Sequence, residues 1–454
     1  MFFRLLTSFA ALLLVGACTP AASRTPNVVL VVIDTLRVDR LSAYGCTIPT
    51  SPNLEALANE GAIFTDAWSP APWTVPSVAS ILTGLHPISH GAGKLGKSPT
   101  HLDTTTPTGL AAGVQTLAER LQALGYQCDA FVTNPYVRDL LSSFRERVIR
   151  VEDGSDVADF TTSRLRSHSD VPRFLYAHFM ECHDPILAPD EDLMAVSREH
   201  EPRRIPEFWA RTLDSSAFPD RERFRRERLH AYDGSIHYVD RQIGKIARAA
   251  AESANRRPTI LVITSDHGEE ILDHADVPRF DPRGLQGIGH GHTLFAELLR
   301  VPLVLVGAGI PASRISDPVS LVDIAPTILD LVGRPVPQEM DGRSLLPAIR
   351  GQRLEPRGQL GGSIAYGYAK GSWTDLRWHF IESESDAEPA MLFDRSADPT
   401  QRTNLAREFP GIVEAIRADM QRAKNTMTVR EGRIVELGIG DAERLQSIGY
   451  IGGR

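Results

Sequence analysis

Asn27-Val28-Val29-Leu30-Val31-Val32-Ile33-Asp34 is a β-branched, almost wholly apolar run that ends in a carboxylate. Such a run predicts a central parallel strand, buried on both faces. Similar runs recur at Phe174–Phe179, Ile260–Ser265 and Val301–Val306. Helical patterns separate them at Asn53–Asn59, Thr116–Leu124, Leu229–Ala250 and Ile324–Leu331. Strand and helix alternate, which predicts an α/β layered fold: a mostly parallel central sheet with helices on both faces. In open sheets of this kind, sites form beyond the carboxyl ends of the strands. Asp34 and Asp266 each follow such an end.

Outward from this frame the chain changes character three times. Arg4, the apolar run Leu5 to Val15, and Gly16-Ala17-Cys18 read as an export signal at residues 1–17, too short to span a bilayer comfortably. Val15-Gly16-Ala17-Cys18 resembles a bacterial lipobox, so Cys18 is expected to carry lipid; a plain secretory signal is the alternative. The protein is then exported and held by lipid to the cell envelope, on its periplasmic or extracellular face. Residues 18–26 are expected to form a short tether and 27–351 the main α/β domain. Residues 184–226, rich in Arg, Glu and Pro, read as a surface insertion over the site. Beyond residue 352, short strand-like pieces (Trp378–Ile381, Met391–Phe393) and a helical pattern near Ile412–Arg422 predict a small C-terminal α+β domain, 352–454.

Composition excludes several classes. The 454 residues are 42% hydrophobic and 23% charged with net charge −8, an ordinary globular balance. No basic stripe suggests a nucleic-acid partner. Of four cysteines, Cys46, Cys128 and Cys182 remain once Cys18 is set aside. Their odd number and wide spacing fit neither a disulfide framework nor a zinc finger. Nothing in the sequence sets an oligomeric state.

Two carboxylates and an imidazole at strand ends, Asp34 and Asp266-His267-Gly268-Glu269, make a candidate cation site. Each carboxylate alone reads equally well as a loop anchor. Ala71-Pro72-Trp73-Thr74-Val75-Pro76 opens a helix near Thr74 or Val75. A hydroxyl at a helix N-terminus sits where free N–H groups favour an alkoxide or an anionic ester. A simple N-cap is the structural alternative for Thr74.

These segments, taken together, resemble the sulfatase family of the alkaline phosphatase superfamily. Asn27 to Arg37 resembles the opening strand and first metal ligand. Ser51 to Ala58 with Gly61 to Phe64 resembles the next segment, and Thr74 to Gly84 the nucleophile segment. Asp266-His267-Gly268-Glu269 resembles the second metal motif, and Gly291 to Phe295 with Arg300 to Leu303 the late active-site strand. Asp323 to Thr327, Asp341 to Leu345, and Leu392-Phe393-Asp394 with Asp398-Pro399 and Asn404-Leu405 continue the order. The resemblance spans roughly residues 27–406 and implies an alkaline-phosphatase-like sandwich. It implies that Asp34, Asp266 and His267 hold a divalent metal, with Thr74 both nucleophile and metal contact. It implies catalytic or substrate-binding roles for His183 and His292, with His290 and Asn134 as further substrate contacts. A single Mn²⁺, Ca²⁺ or Zn²⁺ is expected rather than two ions.

The sequence departs from the sulfatase pattern at five places. Sulfatases carry a cysteine or serine that is oxidised to formylglycine, with an arginine nearby; here those positions are Thr74 and Val78. Val132-Thr133-Asn134-Pro135 stands where a lysine and a histidine are usual. His292 stands where a later lysine is usual, and Thr35 in place of a second early aspartate. These changes favour phosphoric esters, monoester or diester, attacked by an unmodified threonine. The substrate is then a small-molecule, lipid or glycan ester, and the acceptor water or a hydroxyl. A sulfatase working without formylglycine is one alternative. A catalytically inactive binding lipoprotein that kept the fold is the other.

Overall fold

The computed structural model describes residues 25–93, 107–149, 154–197, 221–283 and 287–435. The export signal, Cys18 and nearly all of the tether lie outside the described residues, as do 198–220 and 436–454.

β1 (Asn27–Ile33) lies inside a nine-stranded sheet, between β5 (Arg173–Phe179) and β6 (Thr259–Ser265), parallel to both. β3 (Gln127–Val132) and β4 (Glu146–Ile149) extend it beyond β5, all parallel. On the other side come β9 (Arg300–Gly307) and β2 (Ala62–Trp68), with the short β10 (Ser313–Ile315) and β11 (Val319–Ser320) at the edge. β9 runs antiparallel to both β6 and β2. Its apolar run correctly announces burial, but periodicity carries no strand direction. β2 is not among the strands expected from apolar runs; Thr65 and Asp66 interrupt its pattern.

Alternate residues of β1 enter two different cores, which is why the run is apolar throughout. Val28, Leu30 and Val32 pack with Val78, Ile81 and Leu82 of α2 (Thr74–Thr83). Val29, Val31 and Ile33 pack with Leu54 of α1 (Pro52–Glu60), Val157 of α3 (Gly154–Arg166) and Tyr232, Ile236 and Val239 of α4 (Arg221–Ser253). Fully burying one such side chain contributes roughly 1.5–3 kcal/mol.

The expected insertion at 184–226 is corrected at both ends. Asp190–Val196 is a helix whose Leu193 and Val196 are buried, and Arg221 to Arg226 open α4. Charged residues that looked irregular are good helix formers, and Arg223 pairs with Glu227 one turn on, at 2.7 Å.

β12 (Gln359–Gly361), β13 (Lys370–Thr374), β14 (Trp378–Ser383) and β15 (Met391–Asp394) form an antiparallel sheet. α5 (Pro410–Thr426) covers it through Val413, Ile416 and Met420. A further cluster of Trp68, Leu294, Phe295, Leu299, Ile381 and Phe393 joins this sheet to the main one. Among the described residues no helix is long and apolar enough to cross a membrane.

Candidate active site

The site forms at the carboxyl ends of the central strands. Ile33 pairs with Ser265 in register, so the residues that follow, Asp34 and Asp266, leave neighbouring strands side by side. Thr35 then turns through φ 59°, a conformation that costs a β-branched residue on the order of 1–3 kcal/mol. Its carbonyl accepts from Tyr232 Oη at 2.5 Å, and its amide donates to Asp266 Oδ1 at 3.3 Å. Arg37 ties the same loop to the segment after β6, donating to Asp273 at 2.6 Å and to the Glu269 carbonyl at 3.1 Å.

Thr74 is the first residue of α2, with Trp73 in the capping position, so it is not the N-cap. Its hydroxyl lies 3.4 Å from Asp34 Oδ2 and 3.4 Å from His267 Nε2. His267 Nε2 in turn lies 3.5 Å from Asp34 Oδ1 and 3.5 Å from Asp266 Oδ2. Asp34, Thr74, Asp266 and His267 are all fully buried. His267 Nδ1 donates to the Gly268 carbonyl at 2.8 Å, which leaves Nε2 with its lone pair toward the carboxylates.

A divalent cation fits this set. Asp34 Oδ1 and Asp266 Oδ2 are buried acceptors without a hydrogen-bond partner among the described residues, and they converge on the same bare nitrogen. Burial and then the Asp34 charge push the Asp266 carboxyl well above its usual range. Burial also opposes ionisation of Asp34, but the His178 hydrogen bond and the His183 and His267 rings overcome it and hold Asp34 well below. Burial lowers the His267 pKa and keeps its nitrogen available as a ligand. Two adjacent buried carboxylates can both ionise when a cation lies between them.

Three of the remaining expected residues come close to this centre. Asn134, just past β3, donates from Nδ2 to Asp34 Oδ2 at 2.8 Å. The His290 ring lies 4.5 Å from that of His267 and 5.1 Å from that of His183. His290 Nδ1 contacts Glu269 Oε2 at 2.8 Å, and His183 Nδ1 contacts the Asp184 carbonyl at 2.7 Å.

His292 is placed elsewhere. Its Nε2 contacts Glu270 Oε2 at 2.7 Å, Arg283 reaches its Nδ1 at 3.2 Å, and it is fully buried. The expected order of the two histidines is therefore reversed: His290 joins the His267 cluster and His292 joins an ion-pair network. Gly289 (φ 89°) and Gly291 (φ 81°) flank His290 and let the chain turn there, so a separation of two residues does not predict a shared direction.

Two residues escaped the sequence reading. Glu269 lay within a quoted motif without a role. His178 sits at the penultimate position of the apolar strand β5, where Val32 is its partner on β1. A histidine inside such a run is the signal that could have found it. Its Nε2 lies 3.3 Å from Asp34 Oδ2.

The Sulfatase family profile matches residues 26–334, and that of the C-terminal region of N-sulphoglucosamine sulphohydrolase matches 284–427. Arylsulfatase K of Bos taurus is 31% identical over 192 residues, 39% of this chain and 33% of that protein, so the match spans a third of its length. Arylsulfatase A of Homo sapiens is 25% identical over 464 residues, covering 90% of this chain and 89% of that one. The structure of a phosphonate monoester hydrolase from Silicibacter pomeroyi has the same fold, with TM-score 0.67 at 18% identity over 89% of this chain and 96% of that chain.

Proposed function

The chain belongs to the sulfatase family, and from that premise we propose that it is a metal-dependent ester hydrolase or transferase acting on phosphoric esters with unmodified Thr74 as nucleophile. The observation that carries this reading is the Thr74 hydroxyl at the N-terminus of α2, 3.4 Å from both Asp34 Oδ2 and His267 Nε2.

Asp34, Asp266 and His267 would hold one divalent ion, Mn²⁺, Ca²⁺ or Zn²⁺, with Thr74 beside it. Bound there, the ion supplies charge neutralisation and lowers the pKa of the hydroxyl. Thr74 Oγ1 gives its proton to a neighbouring histidine and attacks phosphorus in line; the bond to the leaving oxygen breaks, that oxygen takes up the proton, and a phospho-threonine forms. Water or an acceptor hydroxyl then takes the phosphoryl group and Thr74 regains its proton. The N–H groups at the start of α2 favour the anionic ester. His183 and His290 stand beside His267, where an Nε2 lone pair would take the Thr74 proton and pass it to the departing oxygen. His292, engaged by Glu270 and Arg283, is left out of this scheme.

A second reading is sulfuric ester hydrolysis without formylglycine; that two sequence relatives are arylsulfatases favours a sulfuric ester. Turnover of an aryl phosphodiester and an aryl sulfate by one preparation separates the two. The phosphoric reading expects the diester to be preferred and an acid quench to trap a phosphoryl adduct on Thr74. A preference for the sulfate, with no adduct, rejects it. We also propose that the protein is exported and membrane-held through lipid on Cys18, on the strength of Val15-Gly16-Ala17-Cys18. Mass spectrometry of the mature N-terminus tests this, and an unmodified N-terminus rejects it.

A further inference from the structure

His178, Asp34 and Asp266 each offer a ligand atom, and these atoms lie within 4.8 Å of one another. By spacing alone, His178 looks like one more ligand of the cation. The positions of the protons say otherwise. We propose that His178 is a positioning residue: it donates a hydrogen bond from Nε2 to Asp34 Oδ2, turns the other oxygen of that carboxylate to the cation, and stays outside the ligand shell. The inference rests on the metal-centred reading above and adds a residue to it.

The argument starts from Tyr176. Its side chain is buried, and its hydroxyl lies 2.8 Å from His178 Nδ1. No other hydrogen bond of that hydroxyl is found among the described residues. A phenol carries one proton to donate. With Nδ1 as acceptor, the phenol is satisfied, and a neutral imidazole then carries its own proton on Nε2. That proton faces Asp34 Oδ2 at 3.3 Å. A ligand role requires the opposite tautomer, with Nε2 bare and the proton on Nδ1. The phenol proton would then be buried without an acceptor, which typically costs about 1–3 kcal/mol, roughly a tenfold to hundredfold bias against that tautomer. An imidazolium meets the same objection and also turns an N–H toward the cation.

The other histidines of the site show the contrast. His183, His267 and His290 each place Nδ1 against an acceptor: the Asp184 carbonyl, the Gly268 carbonyl and Glu269 Oε2. The neutral form of each of those rings therefore has its proton on Nδ1 and a lone pair on Nε2, as metal-binding and acceptor histidines do. His178 alone among these four has a hydroxyl at Nδ1.

The two oxygens of Asp34 divide accordingly. Oδ2 accepts from Asn134 Nδ2 at 2.8 Å, from His178 at 3.3 Å and, at 3.4 Å, from the Thr74 hydroxyl. Oδ1 has no hydrogen-bond partner among the described residues and lies 3.5 Å from His267 Nε2. Donors on one oxygen fix the rotation of the carboxylate and leave the other for the metal. The strands supply the geometry, since the parallel register sets His178 opposite Val32, two residues before Asp34.

The test is cation binding, with no substrate present. Full-chain protein stripped with EDTA is titrated with Mn²⁺, free Mn²⁺ is followed by EPR, and nitrogens on the bound ion are counted by pulsed EPR. In His178→Gln the amide NH₂ stands near the place of Nε2 and keeps the donor. It should bind Mn²⁺ within about threefold of wild type, whereas His178→Ala, which lacks the donor, should lose about 10–100-fold. Both wild type and His178→Gln should show one coordinated nitrogen, that of His267. Tyr176→Phe should weaken binding, because the His178 proton is then free to move to Nδ1. A loss in His178→Gln equal to that in His178→Ala overturns the proposal. So does a second nitrogen in wild type that is missing from His178→Gln, or an unweakened His178→Ala. Should His178→Ala fail to fold, the affinity and nitrogen count of His178→Gln still decide. Wild type that binds Mn²⁺ but turns over no phosphodiester rejects the Thr74 reading and leaves this assignment intact; wild type that binds no Mn²⁺ overturns it.

Discussion

Two buried charged clusters lie a few residues apart in the chain, and they solve the same problem differently. In the first, Asp34, Asp266 and His267 bring two carboxylates together; among the described residues no arginine or lysine is bonded to either, and Asp34 Oδ1 and Asp266 Oδ2 have no hydrogen bonds. In the second, Glu270 accepts from Arg279 at 2.8 and 2.7 Å, contacts His292 at 2.7 Å, and accepts from the His274 amide at 3.0 Å. His274 in turn contacts Glu297 at 2.6 Å and stacks on Phe295 at 3.8 Å. Glu270, His274 and Glu297 also have the spacing of a metal triad. Their charges are already answered from within the protein: Arg279 and His292 hold the Glu270 carboxyl down to about 2 against burial, which alone would raise it. The difference lies at one carboxylate: Asp266 is pushed up by burial and by Asp34, whereas Glu270 is met by Arg279 and His292.

The most severe way to break this contrast is Thr74→Ala. It removes the attacking oxygen and leaves the carboxylates, so turnover should fall by about 10⁴–10⁶ while bound metal is retained. Steady-state kinetics with metal analysis of the same sample checks it. Full activity in the variant moves the reading toward attack by water.

Asp266→Asn comes next. It should lose bound metal and activity with the fold preserved, because the site has few other anionic ligands. Normal metal content by elemental analysis, with an unchanged circular dichroism spectrum, would move the ligand assignment away from Asp266.

The third prediction uses pH. Asp266 has a folded pKa well above its unfolded value, so the metal-free fold binds the extra proton and loses stability as pH rises toward that pKa. Asp34 is shifted the other way; its contribution is present above its unfolded pKa and constant across neutral pH. A bound cation relieves the Asp266 penalty. The drop in Tm on adding a chelator should therefore be larger at about pH 8 than at about pH 5.5. Equal drops at both pH values, or a larger one in acid, contradict the scheme.

The smallest effect on chemistry belongs to the second cluster. His292→Gln should cost about 1–3 kcal/mol in a denaturant melt, from the disturbed bond to Glu270, and leave Mn²⁺ affinity unchanged. If His292→Gln instead abolishes turnover with stability intact, the two clusters are functionally joined.

The sequence by itself determined the layers of the fold and the strand ends that carry the candidate metal ligands. The apolar run Asn27–Ile33 must be buried on both faces, and a carboxylate at its end has to emerge at the rim of the sheet. Asp34, Asp266 and His267 were legible as candidates because each follows the end of a buried strand; Thr74 was singled out by the resemblance, since its position alone reads as an N-cap. The tertiary structure alone decided which histidines belong to the centre. His290 and His292 are parted by a glycine in the left-handed region, and His178 is brought to Asp34 by the pairing of β1 with β5. Neither a glycine turn nor a strand register is written in residue spacing, since both depend on which backbone lies alongside. The direction of β9 and the neutralisation of Glu270 by Arg279 were hidden for the same physical reason.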